Sequence, residues 1–123
     1  MGAPGKPMTA LEYLQLSQKT LQDAEVLLAR GDYHQASEKF WGAMAEAIQA
    51  VAAAQGRRLG QHKELARFVQ DLHQEHPQWK LNLLFAAGEA LHTNFREDHY
   101  PKELVASCGE ATKEFVEIIK RLA

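Results

Sequence analysis

The feature that most constrains this chain is the recurrence of apolar residues at intervals of three and four along five consecutive segments. In the first segment the stripe consists of Leu14, Ser17, Leu21, Ala24 and Leu28. This spacing places the side chains on one face of an α-helix, because three or four residues make about one helical turn. No segment alternates apolar and polar residues in steps of two, and no Asn-Gly or Asp-Gly pair marks a hairpin turn. We therefore expect almost no β-strand.

Short breaks separate the periodic segments. Thr9 and Glu12 have the spacing of a capping box that starts the first helix, and the pair Arg30-Gly31 is typical of its end. The later segments are separated by a glycine and two prolines, namely Gly56, Pro77 and Pro101. Because connections this short join neighbouring helices, we predict an all-α, antiparallel up-and-down bundle of four long helices and one short helix.

The second segment is apolar on two adjoining faces, which is typical of a central helix. Its two stripes are Tyr33, Ala36, Phe40, Ala43, Ala47, Ala50 and Ala54, and Trp41, Met44, Ile48 and Val51. We expect Trp41 to pack in the core. Were Trp41 to lie outside the core, it would become the leading candidate for a dimer contact.

Length and composition limit the class of protein. The 123 residues fit one domain, predicted over residues 9–123 after a flexible N-terminus at residues 1–8. A single cysteine, Cys108, excludes an internal disulfide and fits a cytoplasmic location. No apolar stretch approaches the roughly 20 residues that span a bilayer. The net charge of -2 argues against a non-specific nucleic-acid coat protein but leaves room for a local basic patch.

The densest basic patch lies between the second and third predicted helices. Arg57 and Arg58 precede His62 and Lys63 there, so a phosphate contact near a helix N-terminus is one interpretation. The alternative is ordinary solvated surface charge. Lys39, beside two aromatic residues, either places a cation near a polar pocket or extends past them to solvent.

The segment Leu91–His99 combines ionisable, polar and aromatic residues at the end of an apolar helix. His92 follows the core-facing Leu91, so we place it at the core edge, where a histidine can act as acid or base near neutral pH. The alternative is that His92 and Asn94 cap or cross-link helices through hydrogen bonds. Five of the six histidines, His62, His73, His76, His92 and His99, raise a metal hypothesis, but without a His-Glu-x-x-His pattern or a cysteine pair we predict no metal site and no cofactor.

Two strings taken together resemble a known family. The run from Gly31 to Ala43 is similar to the second helix of HEPN domains, in particular their PaREP-type branch, and Leu91–Phe95 and His62 strengthen the match. The resemblance covers residues 9–122. It implies a HEPN-like bundle that is commonly a homodimer. Members of the superfamily act as ribonucleases in toxin–antitoxin and defence systems, or as partners of nucleotidyltransferases.

The ribonuclease members carry an arginine and a histidine separated by four to six residues near the end of a late helix. Here Arg96 and His99 are separated by only two residues. The resemblance therefore favours a domain that binds RNA, a nucleotide or a partner protein, with Lys39, Arg57, Arg58, His62 and Asn94 as candidate ligand-binding residues. One alternative is a metal-independent ribonuclease with a rearranged site, in which His92 is the general acid or base and Arg96 stabilises phosphate charge. Another is a helical scaffold resembling a tetratricopeptide repeat, suggested by residues 24–36.

Overall fold

The computed structural model describes residues 7–123, and all regular structure in this part of the chain is helical, as predicted. The helices are α1 (Ala10–Ala29), α2 (Tyr33–Ala54), α3 (His62–Glu75), α4 (Leu81–Glu97) and α5 (Lys102–Ile119). Short 3-10 turns, Pro77–Trp79 and Lys120–Leu122, follow α3 and α5. Residues 1–6 of the predicted N-terminal segment lie outside the described residues. None of the helices in the described range is both long and apolar enough to cross a membrane.

The predicted helix ends have the expected chemistry. The Thr9 hydroxyl accepts a hydrogen bond from the Glu12 amide at 3.1 Å, and the Glu12 carboxylate accepts one from the Thr9 amide at 2.8 Å. Asp32 caps α2 by accepting from the amide of Gln35. Gly31, between α1 and α2, has a φ of +83°, a conformation that glycine adopts without strain. Thr9 and Asp32 thus each pair an amide that the start of a helix otherwise leaves without a partner.

Helix α2 is central, because it packs against α1, α3, α4 and α5. Trp41 is only 7% exposed and belongs to the core shared with α3, α4 and α5. Its predicted core location is therefore confirmed. Trp41 was a candidate dimer contact only if it lay outside the core, so that condition is not met. A second buried cluster surrounds Phe40, where α1, α2, α4 and α5 meet.

The inward face of α4 differs in part from the predicted one. The apolar spacing of Trp79, Leu83, Ala87, Ala90 and Leu91 in the sequence predicts this helix, but Leu83 is 65% exposed and Trp79 lies in the 3-10 turn before the helix. The residues that α4 buries are Leu81, Phe85, Gly88, Leu91 and Asn94. The left-handed backbone of Lys80, with a φ of 54°, starts the helix at Leu81 and sets this register.

Two glycines allow the helices to approach closely. A Cβ on Gly109 of α5 would lie 2.7 Å from the Phe40 ring, and one on Gly88 of α4 would lie 2.4 Å from Met44 Sδ. Gly42 of α2, by contrast, leaves ordinary van der Waals room against Thr20. The first two positions therefore fix how near α4 and α5 lie to α2.

Candidate functional site

Two histidines from separate helices converge on Trp41. His62 is the first residue of α3, and His92 lies in the last two turns of α4. Their ring centroids are 5.8 Å apart with the ring planes inclined by 21°. The Trp41 ring lies 4.9 Å from His62 and 5.1 Å from His92. We call His62 and His92 the histidine pair; their separation is short enough for one small group to contact both.

A carboxylate orients each member of the histidine pair. His62 Nε2 lies 2.7 Å from Glu89 Oε2, and His92 Nδ1 lies 2.9 Å from Glu38 Oε1. A carboxylate accepts from a ring N–H and so fixes which nitrogen carries the proton. The opposite nitrogens, His62 Nδ1 and His92 Nε2, have no hydrogen-bond partner within residues 7–123.

The histidine pair lines an open pocket of about 340 Å³, together with Glu89, Thr93 and Arg96. His92 and Thr93 are adjacent in α4, and each lies three or four positions from Glu89 and from Arg96, so the four residues share one helix face. His62, His92 and Arg96 were predicted from the sequence as site residues, whereas Glu38, Glu89 and Thr93 were not. For Glu89, the spacing of three residues to His92 was the sequence signal that could have predicted it.

The charge of the site depends on the histidine pair. With neutral imidazoles, Glu38 and Glu89 outweigh Arg96 and leave one negative charge; with both imidazoles protonated the balance becomes one positive charge. The N-terminus of α3 adds positive potential, since Gln61 caps it without a side-chain hydrogen bond. The arrangement therefore favours an anion when the imidazoles are protonated.

Asn94 holds the surrounding framework together and does not line the pocket. Its side chain is fully buried: Nδ2 donates to Ser37 Oγ at 3.0 Å, and Oδ1 accepts from the amides of His99 and Tyr100 at 3.0 and 2.9 Å. These contacts match the cross-linking interpretation of Asn94 and not the ligand-binding one. They tie α4 to α2 beside the residues that line the pocket.

The other predicted cations, Arg57, Arg58 and Lys39, do not line the pocket of the histidine pair. The Arg57 guanidinium sits 5.0 Å above the Phe68 ring, and Arg57 and Arg58 both border a separate cavity near Gln49. Lys39 is exposed to solvent, with its Nζ 3.9 Å from Asp23, and it also borders a separate cavity between α1 and α2. Thus His62, His92 and Arg96 of the predicted set share one pocket, whereas Arg57 and Arg58 border another.

The described part of the chain contains no set of side chains arranged as metal ligands. No three histidine, cysteine, aspartate or glutamate side chains there are arranged to hold an ion. Each imidazole of the histidine pair instead pairs with its own carboxylate. The side chains that line the pocket can form hydrogen bonds, carry charge and transfer protons.

Comparison with known proteins gives a family and a fold. Residues 12–116 match the model of the archaeal PaREP1/PaREP8 family. A crystal structure of a protein from Sulfolobus solfataricus superposes with a TM-score of 0.78 at 20% identity, covering 95% of this chain and 98% of that one. At this identity the similarity shows a shared fold alone. No curated protein matches the chain.

Proposed function

Because this chain belongs to the archaeal PaREP1/PaREP8 family, and because its histidine pair converges with Arg96, we propose that it is an RNA-binding helical domain. The observation that carries the proposal is that His62, His92 and Arg96 border one open pocket. The same proposal places the fold in the HEPN superfamily, as an antiparallel up-and-down bundle that forms homodimers in the cytoplasm. The resemblance of residues 31–43 and 91–95 to HEPN domains supports that part.

The pocket offers donors suited to a backbone phosphate. Arg96 can donate charge-assisted hydrogen bonds, and the Thr93 hydroxyl lies on the same helix face. His62 Nδ1 and His92 Nε2 become further donors when the rings are protonated, since their other nitrogens already face carboxylates. RNA is favoured among phosphate ligands because the resembled superfamily acts on RNA.

We expect fluorescently labelled single-stranded RNA to bind the metal-free protein through Arg96, Thr93 and the histidine pair. Arg96→Ala and His92→Ala should each weaken binding by about tenfold or more, because a hydrogen bond to a charged group contributes roughly 1.5–3 kcal/mol. Fluorescence anisotropy at several salt concentrations measures both effects, and affinity should fall as salt rises.

His76→Ala is the matched control. This variant also removes one imidazole, but His76 lies at the opposite end of α3 from His62 and stacks on Trp79. It should bind RNA like the unmodified chain once circular dichroism has shown that all variants fold. RNA that stays unbound at both low and moderate salt would contradict the proposal and direct the search to a protein partner, such as a nucleotidyltransferase-type protein.

One observation favours a second candidate function, a metal-independent ribonuclease. Two imidazoles held by two carboxylates supply a general base and a general acid within reach of one phosphodiester. One histidine would take the proton of the 2′-hydroxyl as its oxygen attacks phosphorus. The other would protonate the departing 5′-oxygen, while Arg96 stabilises the phosphate charge.

For this candidate, incubation of RNA with the protein in excess chelator should yield fragments ending in a 2′,3′-cyclic phosphate. His62→Ala and His92→Ala should each lower the rate by a hundredfold or more, since general acid–base catalysis contributes about 10²- to 10⁴-fold. RNA that is bound but stays intact would exclude cleavage and leave the binding function in place.

A further inference from the structure

A second cavity borders the connection between α2 and α3 (residues 55–61), and its charge differs from that of the pocket of the histidine pair. It has a volume of about 200 Å³ and lies beside the start of α1 and the last turns of α2. Among its described lining residues, Arg57 and Arg58 are charged and none is acidic, whereas Glu89 lines the pocket of the histidine pair. In this space, which we call the arginine cavity, an anion therefore meets two cationic residues and no described carboxylate.

The side chain of Arg58 is available to a ligand. It is exposed, and it has no hydrogen-bond, ion-pair or ring partner within residues 7–123. The lysines of the cavity between α1 and α2 differ in this respect, since Lys19 and Lys39 both pair with Asp23. A guanidinium without a carboxylate partner keeps its five N–H donors for a ligand and can donate two parallel hydrogen bonds to a phosphate. Arg58 therefore offers a phosphate a set of donors that no described side chain occupies.

Hydrogen bonds hold the backbone of the α2–α3 connection in one shape. Leu59 is only 5% exposed, and the Gln49 side chain donates to its carbonyl at 2.7 Å and accepts from its amide at 3.3 Å. One step earlier, the amide of Arg57 donates to the Ala52 carbonyl at 2.8 Å. A backbone that is already ordered loses little conformational entropy when a ligand binds. The connection therefore presents its cations at fixed positions relative to His62.

Chain connectivity keeps the arginine cavity close to the histidine pair. Arg58 borders the cavity and His62 lines the other pocket, and four residues of chain can separate their Cα atoms by at most about 14 Å. A stacked nucleic-acid strand advances about 3.4 Å per nucleotide, so roughly four nucleotides span this distance. Along the connection and the first turn of α3, three cations, Arg57, Arg58 and Lys63, outnumber the one carboxylate, Glu64. The surface between the two sites is therefore positive, as a path for an RNA backbone requires.

We propose that the arginine cavity binds a second phosphate of the same RNA strand, about four nucleotides from the phosphate at the histidine pair. Arg58 donates to this phosphate, and the apolar side chains of Met8 and Ala53 and the Tyr13 ring in the cavity wall pack against the attached nucleotide. The inference rests on the proposed RNA binding and specifies its substrate class. The preferred ligand is a single strand long enough to reach both sites, and a mononucleotide or dinucleotide reaches one of them.

The test measures the affinity of labelled oligouridylates of two and six nucleotides by fluorescence anisotropy. The unmodified protein should bind the hexanucleotide more tightly than the dinucleotide, and Arg58→Ala should lower the ratio of the two affinities by about tenfold. This is the loss expected for hydrogen bonds between charged groups. The dependence of log affinity on log salt should also become shallower for the hexanucleotide, by about 0.7 for one lost phosphate contact. Arg58 is the residue to change because Arg57 also packs on Phe68.

Arg30→Ala is the matched control, because Arg30 is also an exposed arginine at the C-terminal end of a helix but borders a different cavity, together with Asp23. This variant removes the same charge and the same interaction with a helix dipole, so it should keep the affinity ratio of the unmodified protein. Circular dichroism checks that both variants fold.

Three outcomes would overturn the inference. An affinity ratio in Arg58→Ala equal to that of the unmodified protein would overturn it and leave RNA binding standing. An equal fall of the ratio in Arg30→Ala and Arg58→Ala would show an effect of overall charge, and would likewise leave RNA binding standing. Failure of both RNAs to bind the unmodified protein would overturn the inference and the proposed function together.

Discussion

Asn94→Ala is expected to lower the free energy of unfolding by about 3 kcal/mol. The substitution removes one buried and two part-buried hydrogen bonds and leaves the amides of His99 and Tyr100 without their acceptor. Each buried donor left unpaired costs roughly 1–3 kcal/mol, and partial access of water to the α4–α5 connection offsets part of the sum. Urea denaturation followed by circular dichroism measures the change directly.

Ser37→Ala is the control for this prediction. It removes one of the three bonds of Asn94, together with the bond that the Ser37 hydroxyl donates to the Tyr33 carbonyl. Because the acceptor role of Asn94 toward the α4–α5 connection stays intact, the loss should be smaller, about 1 kcal/mol. An Asn94→Ala protein as stable as the unmodified chain would contradict the assigned cross-linking role.

The same cross-link bears on the site. Ser37 and Asn94 are the chain neighbours of Glu38 and Thr93, so their hydrogen bond fixes α2 relative to α4 beside the histidine pair. A framework contact of this kind sets the distance between His92 and Glu38 without touching a ligand. We therefore expect RNA binding by Asn94→Ala to weaken even at temperatures where the variant remains folded.

Gly109→Ala is expected to destabilise the protein by about 2 kcal/mol. The added Cβ would lie 2.7 and 2.8 Å from two carbons of the Phe40 ring, which is almost fully buried and rigid. Overpacking of this kind costs typically 1–3 kcal/mol and occasionally more, and the better helix propensity of alanine returns at most about 1 kcal/mol. The midpoint of thermal or urea unfolding should fall accordingly.

Gly42→Ala separates overpacking from helix propensity. A Cβ at this position meets Thr20 Cγ2 at 3.5 Å, an ordinary contact, so the propensity gain should leave stability unchanged or raised by up to about 1 kcal/mol. If Gly109→Ala were as stable as Gly42→Ala, α5 would have room to move away from Phe40. The close approach would then not be a requirement of the fold.

The sequence alone was enough to predict the helices and most of their ends. Apolar periodicity, the Thr9–Glu12 capping box and the Gly31 stop depend on contacts within a few residues, and so they are readable without tertiary structure. The same local logic failed at Leu83, since the register of α4 follows from the left-handed turn at Lys80 and the packing of Leu81. A stripe that is apolar on more than one face does not by itself say which face is buried.

The candidate site depended far more on tertiary structure. His62, His92 and Arg96 are recognisable in the sequence as residue types that carry charge and protons, but the convergence of the two histidines is not readable from it. Their convergence comes from the packing of α3 and α4 on Trp41, across an interval of 30 positions. The contact of Glu38 with His92 and the desolvation of Glu46 come from neighbours on other helices, because hydrogen bonding and desolvation depend on surroundings that a linear pattern does not specify. Local periodicity thus determined the helices, and only the packing of helices distant in sequence decided which side chains form a site.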